Sequence, residues 1–289
     1  MFTFPFLRSQ CSLMPAARSG ARPRAKWAAL AVLALAGSAS AQVGLGLAPM
    51  REEFNLAPGA VQSGTLRLVN DGVETVRVTT ALLDFYLDET ATPQFGREFK
   101  REEAFSCRQW LVANPMEIEL DGKAQMPVRY TIRVPATATA RSYHCAIGFT
   151  TLPTAQELKA VGLRTAVQIV ASFYVIVGHP AAEGTVKDLA LQYVADPRNP
   201  GWRAVVTIRN AGLMHLRPVG ELDVLNENGE VVETAQFAPL PVLPERDQKF
   251  VFPLKLAGGP GKYKLRARVD LGGNEIQEAI VGVVATHNP

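Results

Sequence analysis

The chain has 289 residues, 47% of them hydrophobic and 20% charged, ordinary values for a globular protein and enough for one large or two modest cores. Its formal charge of +3 rests on Arg8, Arg18, Arg22, Arg24 and Lys26, which stand in residues 1–26 with no acid among them. Without those five cations, 25 basic residues face 27 acidic ones, a formal charge of −2 that excludes the basic stripe of a nucleic-acid-binding protein.

After the cations, residues 27–37 read WAALAVLALAG, and Ala39-Ser40-Ala41 follows. A positive stretch, an apolar stretch and a small-residue tripeptide in that order make a secretory signal peptide over residues 1–41, cleaved before Gln42. The apolar run is about half the ~20 residues that a spanning helix needs, so the exported chain is expected to have no membrane span. Met1 and Met14 are both candidate starts. Cleavage removes Cys11 and leaves Cys107 and Cys145. In an oxidising compartment the expected state is a Cys107–Cys145 disulfide, with two buried free thiols as the alternative.

From Gln42 the sequence reads as short strands between turn signals, with no long amphipathic helix. Residues 43–54 form a first strand, interrupted at Pro49, and Pro58-Gly59 turns it. Residues 64–70 (GTLRLVN) put Leu66 and Leu68 on one face and end at Asn70-Asp71-Gly72, a strong turn. A strand over 73–87 follows. Residues 90–104 are expected to be loop, and the mixed charges of 97–103 (REFKREE) a solvated connection. Strands over 107–112, 116–120, 126–134 and 142–151, then a linker at 154–162, lead to TAVQIVASFYVIV at 165–177. That segment is too apolar for a strand with one wet face, because Val167, Ile169, Ala171, Phe173, Val175 and Val177 alternate with Val170, Tyr174 and Ile176. Such a strand is either central to its sheet or has a further surface to cover it.

Residues 178–184 read as an interdomain linker, after which strands are expected over 186–194, 203–209, 220–225, 230–237, 249–256, 262–269 and 275–284. The two halves echo each other. Asn70-Asp71-Gly72 is matched by Asn210-Ala211-Gly212, and Tyr143 by Tyr263, each tyrosine opening the penultimate strand of its half as in a tyrosine corner. The expected fold is all-β, two tandem immunoglobulin-like β-sandwich domains over residues 42–180 and 181–289. Cys107, just before Trp110, would make the disulfide a local staple rather than the inter-sheet bridge of antibody domains.

No catalytic motif competes with a binding role. The histidines at 144, 179, 215 and 287 have no HExxH spacing and no cysteine pair has zinc spacing, so no metal and no cofactor is expected, and His144 reads as a strand-side residue. There is no GxSxG elbow, and the glycines at 44 and 46 precede no helix. Asp84 and Asp88 share a strand face, where solvent is expected rather than a glycosidase site. The chain is read as a binding protein and not an enzyme.

Two such domains behind a signal peptide, the first closed by an apolar strand, resemble the PapD-type periplasmic pilus assembly chaperones. The resemblance rests on LAPMREEF at 47–54, which puts Arg51 where those chaperones carry an arginine on the first strand. It rests also on Val167-Gln168-Ile169 in the place of the subunit-donating strand, with Pro180 at the domain junction. It implies a chaperone that works without ATP in the periplasm, or at the cell surface. Val167, Ile169, Ala171 and Phe173 would complete the sandwich of a secreted pilus or surface subunit by strand addition, and a cleft arginine and a lysine would hold the subunit's terminal carboxylate. Here the lysine position falls near Val175, and no lysine stands between Lys159 and Lys187, which leaves Arg51, with Arg164 as a second cation. An outer-membrane usher is a further partner the resemblance implies. The alternative is a structural or binding module of the cell envelope, in which the same strand is covered within the fold. A third class is a carbohydrate-binding or hydrolytic sandwich that uses aromatic groups such as Trp110 or Trp202.

Overall fold

The computed structural model describes residues 44–97, 99–153 and 166–286; the expected signal peptide, the linker at 154–162, Arg164 and His287 lie outside them. The described chain is all-β and forms two immunoglobulin-like sandwiches in tandem. In the first, β1 (Leu45–Ala48), β3 (Val61–Asn70), β8 (Gln125–Arg133) and β6 (Leu111–Asn114) form one sheet in the order β1-β3-β8-β6. The facing sheet runs β2 (Arg51–Leu56), β10 (Gln168–Val177), β9 (Arg141–Leu152), β4 (Val76–Leu87), with β7 (Glu117–Leu120) on the start of β4 and β5 (Pro93–Gly96) on its end. The opening strand is split at Pro49, which has no N–H for a ladder. Before it β1 pairs with β3, and after it β2 runs parallel to β10 in the other sheet.

Period-two alternation explains what is buried. Leu66, Leu68, Val128 and Ile132 of one sheet meet Ile147, Phe149, Phe173 and Val175 of the other, all fully buried. The second sandwich closes in the same way, from β11 (Gly184–Val194), β12 (Gly201–Asn210) and β15 (Asp247–Leu254) against β14 (Val231–Gln236), β13 (Val219–Leu225), β16 (Gly261–Asp270) and β17 (Gln277–Ala285). Val206 and Ile208 lie in its core with Leu222, Val224 and Leu265.

The internal echoes have one physical cause each. Tyr143 Oη donates to the Thr139 carbonyl at 3.1 Å and Tyr263 Oη to the Gly259 carbonyl at 2.7 Å, so both tyrosines pin the loop four residues before them. Asn70 Nδ2 donates to the carbonyls of Glu74 and Leu120 at 2.8 and 3.1 Å, while its Oδ1 accepts the Gly72 N–H. Asn210 repeats this with Met214 and Val242, at 2.7 and 3.0 Å, and the Gly212 N–H. Each asparagine is fully buried and satisfies carbonyls where the chain leaves a sheet. Asn210→Ala is expected to destabilise the protein by about 1–3 kcal/mol, because the Met214 carbonyl loses its side-chain donor and the Val242 carbonyl keeps only the Leu216 N–H. A denaturant titration reads this as a lower midpoint.

Two expectations change. Residues 90–104 are not all loop: β5 hairpins back onto β4, and 100–105 form a 3₁₀ turn (Lys100–Phe105). The strand expected over 107–112 begins instead as a second 3₁₀ turn (Arg108–Trp110) before β6. Cys107 has to turn there to bond Cys145 of β9, their Cα atoms 5.2 Å apart and 38 residues apart in sequence.

Candidate functional site

The apolar run sits in β10, and its two faces are covered by different parts of the molecule. Ala171, Phe173, Val175 and Val177 face the core of the first sandwich. On the outer face Tyr174 packs with Leu83, Phe85 and Leu87 of β4, Ala146 of β9, and Leu243 from the second sandwich, with Val170 at the margin. The excess of apolar residues is therefore explained between Ala171 and Val177 by burial on both sides.

The edges of the strand differ along its length. β9 pairs with all of β10, from Gln168 to Val177, whereas β2 pairs only from Ser172 onward. The Ser172 N–H donates to the Met50 carbonyl at 3.0 Å, on the β2 side. Val167 bonds the other way, its N–H to Thr151 Oγ1 and its carbonyl to the Thr151 N–H, both at 2.9 Å. Since backbone groups alternate along a strand, Gln168 and Val170 turn their N–H and C=O to the β2 side, where no strand pairs with them among the described residues. Among the described residues this short open edge ends where β2 begins.

The expected site residues divide accordingly. Val167 and Ile169 are half-buried beside the open edge, while Ala171 and Phe173 are fully buried and belong to the core. Arg51 is exposed at the first position of β2, opposite Ser172, so its side chain leaves the sheet on the outer face. Arg164 lies outside the described residues. Val175, at the position of the absent lysine, is fully buried.

A second cation reaches this face from a direction the sequence did not suggest. Arg217 of the second sandwich stands over the Tyr174 ring, its Cζ 4.8 Å from the centroid, and its Nε donates to Glu53 at 2.9 Å. Glu53 also accepts from His215 Nε2 at 2.7 Å. The His215 bond, with Arg217 beside it, holds the Glu53 carboxyl down at about 2 against the opposing effect of partial burial. Burial pushes the Tyr174 phenol up to about 12. His215 Nδ1 lies 2.9 Å from Ser142 Oγ, so serine, histidine and glutamate stand in a line that superficially resembles a hydrolase triad. Ser142 is only 1% exposed, and its Oγ accepts the backbone N–H of His215 at 3.0 Å. The line joins the two sandwiches and offers a substrate no approach to the hydroxyl.

The joint extends along the sheet. Glu102, in the 3₁₀ turn Lys100–Phe105, bonds both His144 of β9 and Arg246 of the second sandwich and is 3% exposed. Arg246 also covers the Tyr86 ring. Burial drives the His144 imidazole down to about 4, toward the neutral form. Three sequence expectations are corrected here. Residues 97–103 are not a purely solvated connection, because Glu102 is an interdomain tie. Asp84 is buried and bonded to Ser106 and Arg108, not solvated. Trp202 is 5% exposed in the second core beside Tyr193. Among the described residues no group of three His, Cys, Asp or Glu side chains could hold a metal ion, and no helix is long and apolar enough to cross a membrane.

Several solved structures are similar in fold. A chain of the chaperone–tip adhesin complex of CFA/I fimbriae biogenesis is 12% identical over 85% of this chain and 100% of that one, at a TM-score of 0.42. The E. coli chaperone DraB is 16% identical over 82% and 98%, at 0.40, and the Pseudomonas aeruginosa chaperone CupB2 12% identical over 80% and 98%, at 0.38. Fimbrial chaperones recur among them. At these identities the likeness is one of fold. No protein-family profile and no characterised sequence matches the chain.

Proposed function

We propose that this protein is a periplasmic, chaperone-like binding protein that holds an extended segment of a secreted pilus or surface subunit on the open edge of β10, without ATP. The observation that carries the reading is the gap between Gln168 and Ser172, where β9 pairs with β10 and β2 does not. A client strand there would gain the backbone bonds of Gln168 and Val170 and pack beside Val167, Ile169 and Val170. Because β2 continues the same edge in parallel, a client running parallel to β10 would end where β2 begins, with its terminal carboxylate at Arg51. Arg217 is committed to Glu53 and would shape this end of the groove without holding the carboxylate. An outer-membrane usher is the expected next partner.

Proline at position 170 tests the reading. The Val170 N–H faces the open edge, so Val170→Pro is expected to leave the fold and its melting intact while capture of subunits encoded beside this chain is lost. Ala171→Pro is expected to break a bond to β9 and destabilise the protein. Arg51→Glu is expected to weaken capture of a segment with a free terminal carboxylate and to spare its amidated form. Capture by Val170→Pro at the wild-type level would sink the proposal. The burial of the outer face of β10 suits the envelope-module alternative, and amide exchange separates the two. Fast exchange at Gln168 and Val170 beside slow exchange at Ile169 and Ala171 is expected from an open edge, and uniform protection from a covered one.

A further inference from the structure

A cavity of about 560 Å³ opens on the far side of β9 from the β10 edge, between β4, the start of β9 and the two 3₁₀ turns. Its size is that of an ordinary small-ligand site. Asp84 lies at its base, where Ser106 Oγ and Arg108 Nε, the latter at 2.8 Å, satisfy the carboxylate, so the base carries no uncompensated charge. Trp110 lines one wall, half-buried, its ring 4.3 Å from that of Tyr143, and presents a flat apolar surface. Arg97 and Lys100 stand exposed at the rim, and neither has an ion-pair partner among the described residues. Gln109 and Glu103, also exposed, add amide and carboxylate groups.

We infer that this cavity binds an acidic saccharide. Two rim cations ask for an anion, whereas Glu103 repels a polyanion and can only accept hydrogen bonds, which hydroxyl groups supply. A sugar ring offers C–H groups to the Trp110 face, hydroxyls to Gln109 and Glu103, and, as a uronic acid, one carboxylate to Arg97 and Lys100. An aromatic acid would leave Glu103 without a donor, and a neutral sugar would leave both cations unused. The site is independent of client binding, because it uses none of the residues at the β10 edge.

Calorimetric titration of the exported protein with the methyl glycosides of galacturonic and mannuronic acid, each beside its neutral hexose counterpart, tests the assignment. At least one acid is expected to bind tenfold or more tightly than its counterpart, and the Arg97→Ala/Lys100→Ala double variant to weaken that binding at least tenfold. Arg133→Ala, an exposed cation on β8, is expected to change nothing. Absence of binding by both acids, equal binding of the neutral sugars, or an undiminished affinity in the double variant would overturn the inference. Val170→Pro is expected to bind the acid as the wild type does, which separates a failure here from a failure of the chaperone reading.

Discussion

Arg246→Ala is expected to destabilise the protein by about 3–5 kcal/mol, the cost of leaving one partner of a buried ion pair alone. Glu102 is 3% exposed, and among the described residues Arg246 is its one cationic partner of fixed charge. Removing the guanidinium leaves a carboxylate with His144 alone, and His144 is held neutral by burial. Urea unfolding followed by tryptophan fluorescence measures the loss, and the pair replacement Glu102→Gln/Arg246→Met should recover most of it, because no charge is then stranded. A full recovery by Arg246→Met alone would contradict this account.

The same joint sets the acid response. The His144 imidazole titrates at about 4 in the fold and at its ordinary 6.5 in the unfolded chain. The unfolded chain thus takes up its proton first, so stability falls as pH drops from 6.5 to 4 and loses nothing further from this group below that. A gap of that size corresponds to roughly 3 kcal/mol. Glu53 acts in a lower window: its carboxyl is held at about 2, so the stability it contributes is present above its ordinary 4.5 and is lost as pH falls from 4.5 toward 2. Stability measured against pH is expected to decline in these two successive windows. His144→Gln should flatten the first and leave the second.

Phe173→Ala is expected to cost about 3–5 kcal/mol, since the ring is fully buried against Tyr130, 4.8 Å between centroids. Ile169→Ala, four residues earlier on the same face of β10, should cost about 1 kcal/mol or less because the side chain is half-buried. The reverse order is expected for client capture, where Ile169 lies beside the open edge and Phe173 does not. Parallel measurements of unfolding and capture would show this crossing. Equal stability losses would mean that Ile169 is as much a core residue as Phe173.

Much of the fold was legible because its signals are local. The turn at Asn70-Asp71-Gly72 and its echo at Asn210 proved to be one device used twice, and Tyr143 and Tyr263 each bond four residues back, within the reach of a sequence pattern. Cys107 and Cys145 pair, as was expected of two cysteines left in an exported chain. The joint was not legible. Glu102 bonds a residue 144 positions away and Glu53 one 162 positions away, while by local polarity both read as surface acids. Asp84 misled for the same reason, its partner Arg108 lying beyond a hairpin and a 3₁₀ turn.

The apolar strand divides along the same line. In the sequence alone, both faces of residues 165–177 read as apolar and the segment as a strand closing the first half of the molecule; in the structure that strand runs from Gln168 to Val177. Which residues are core and which are edge depended on two chain segments remote in sequence: Leu243 covers the outer face near Tyr174, and β2 begins only opposite Ser172. Alternation reports the environment of a side chain, whereas the pairing of an edge depends on where another strand begins, and only the tertiary structure decided that.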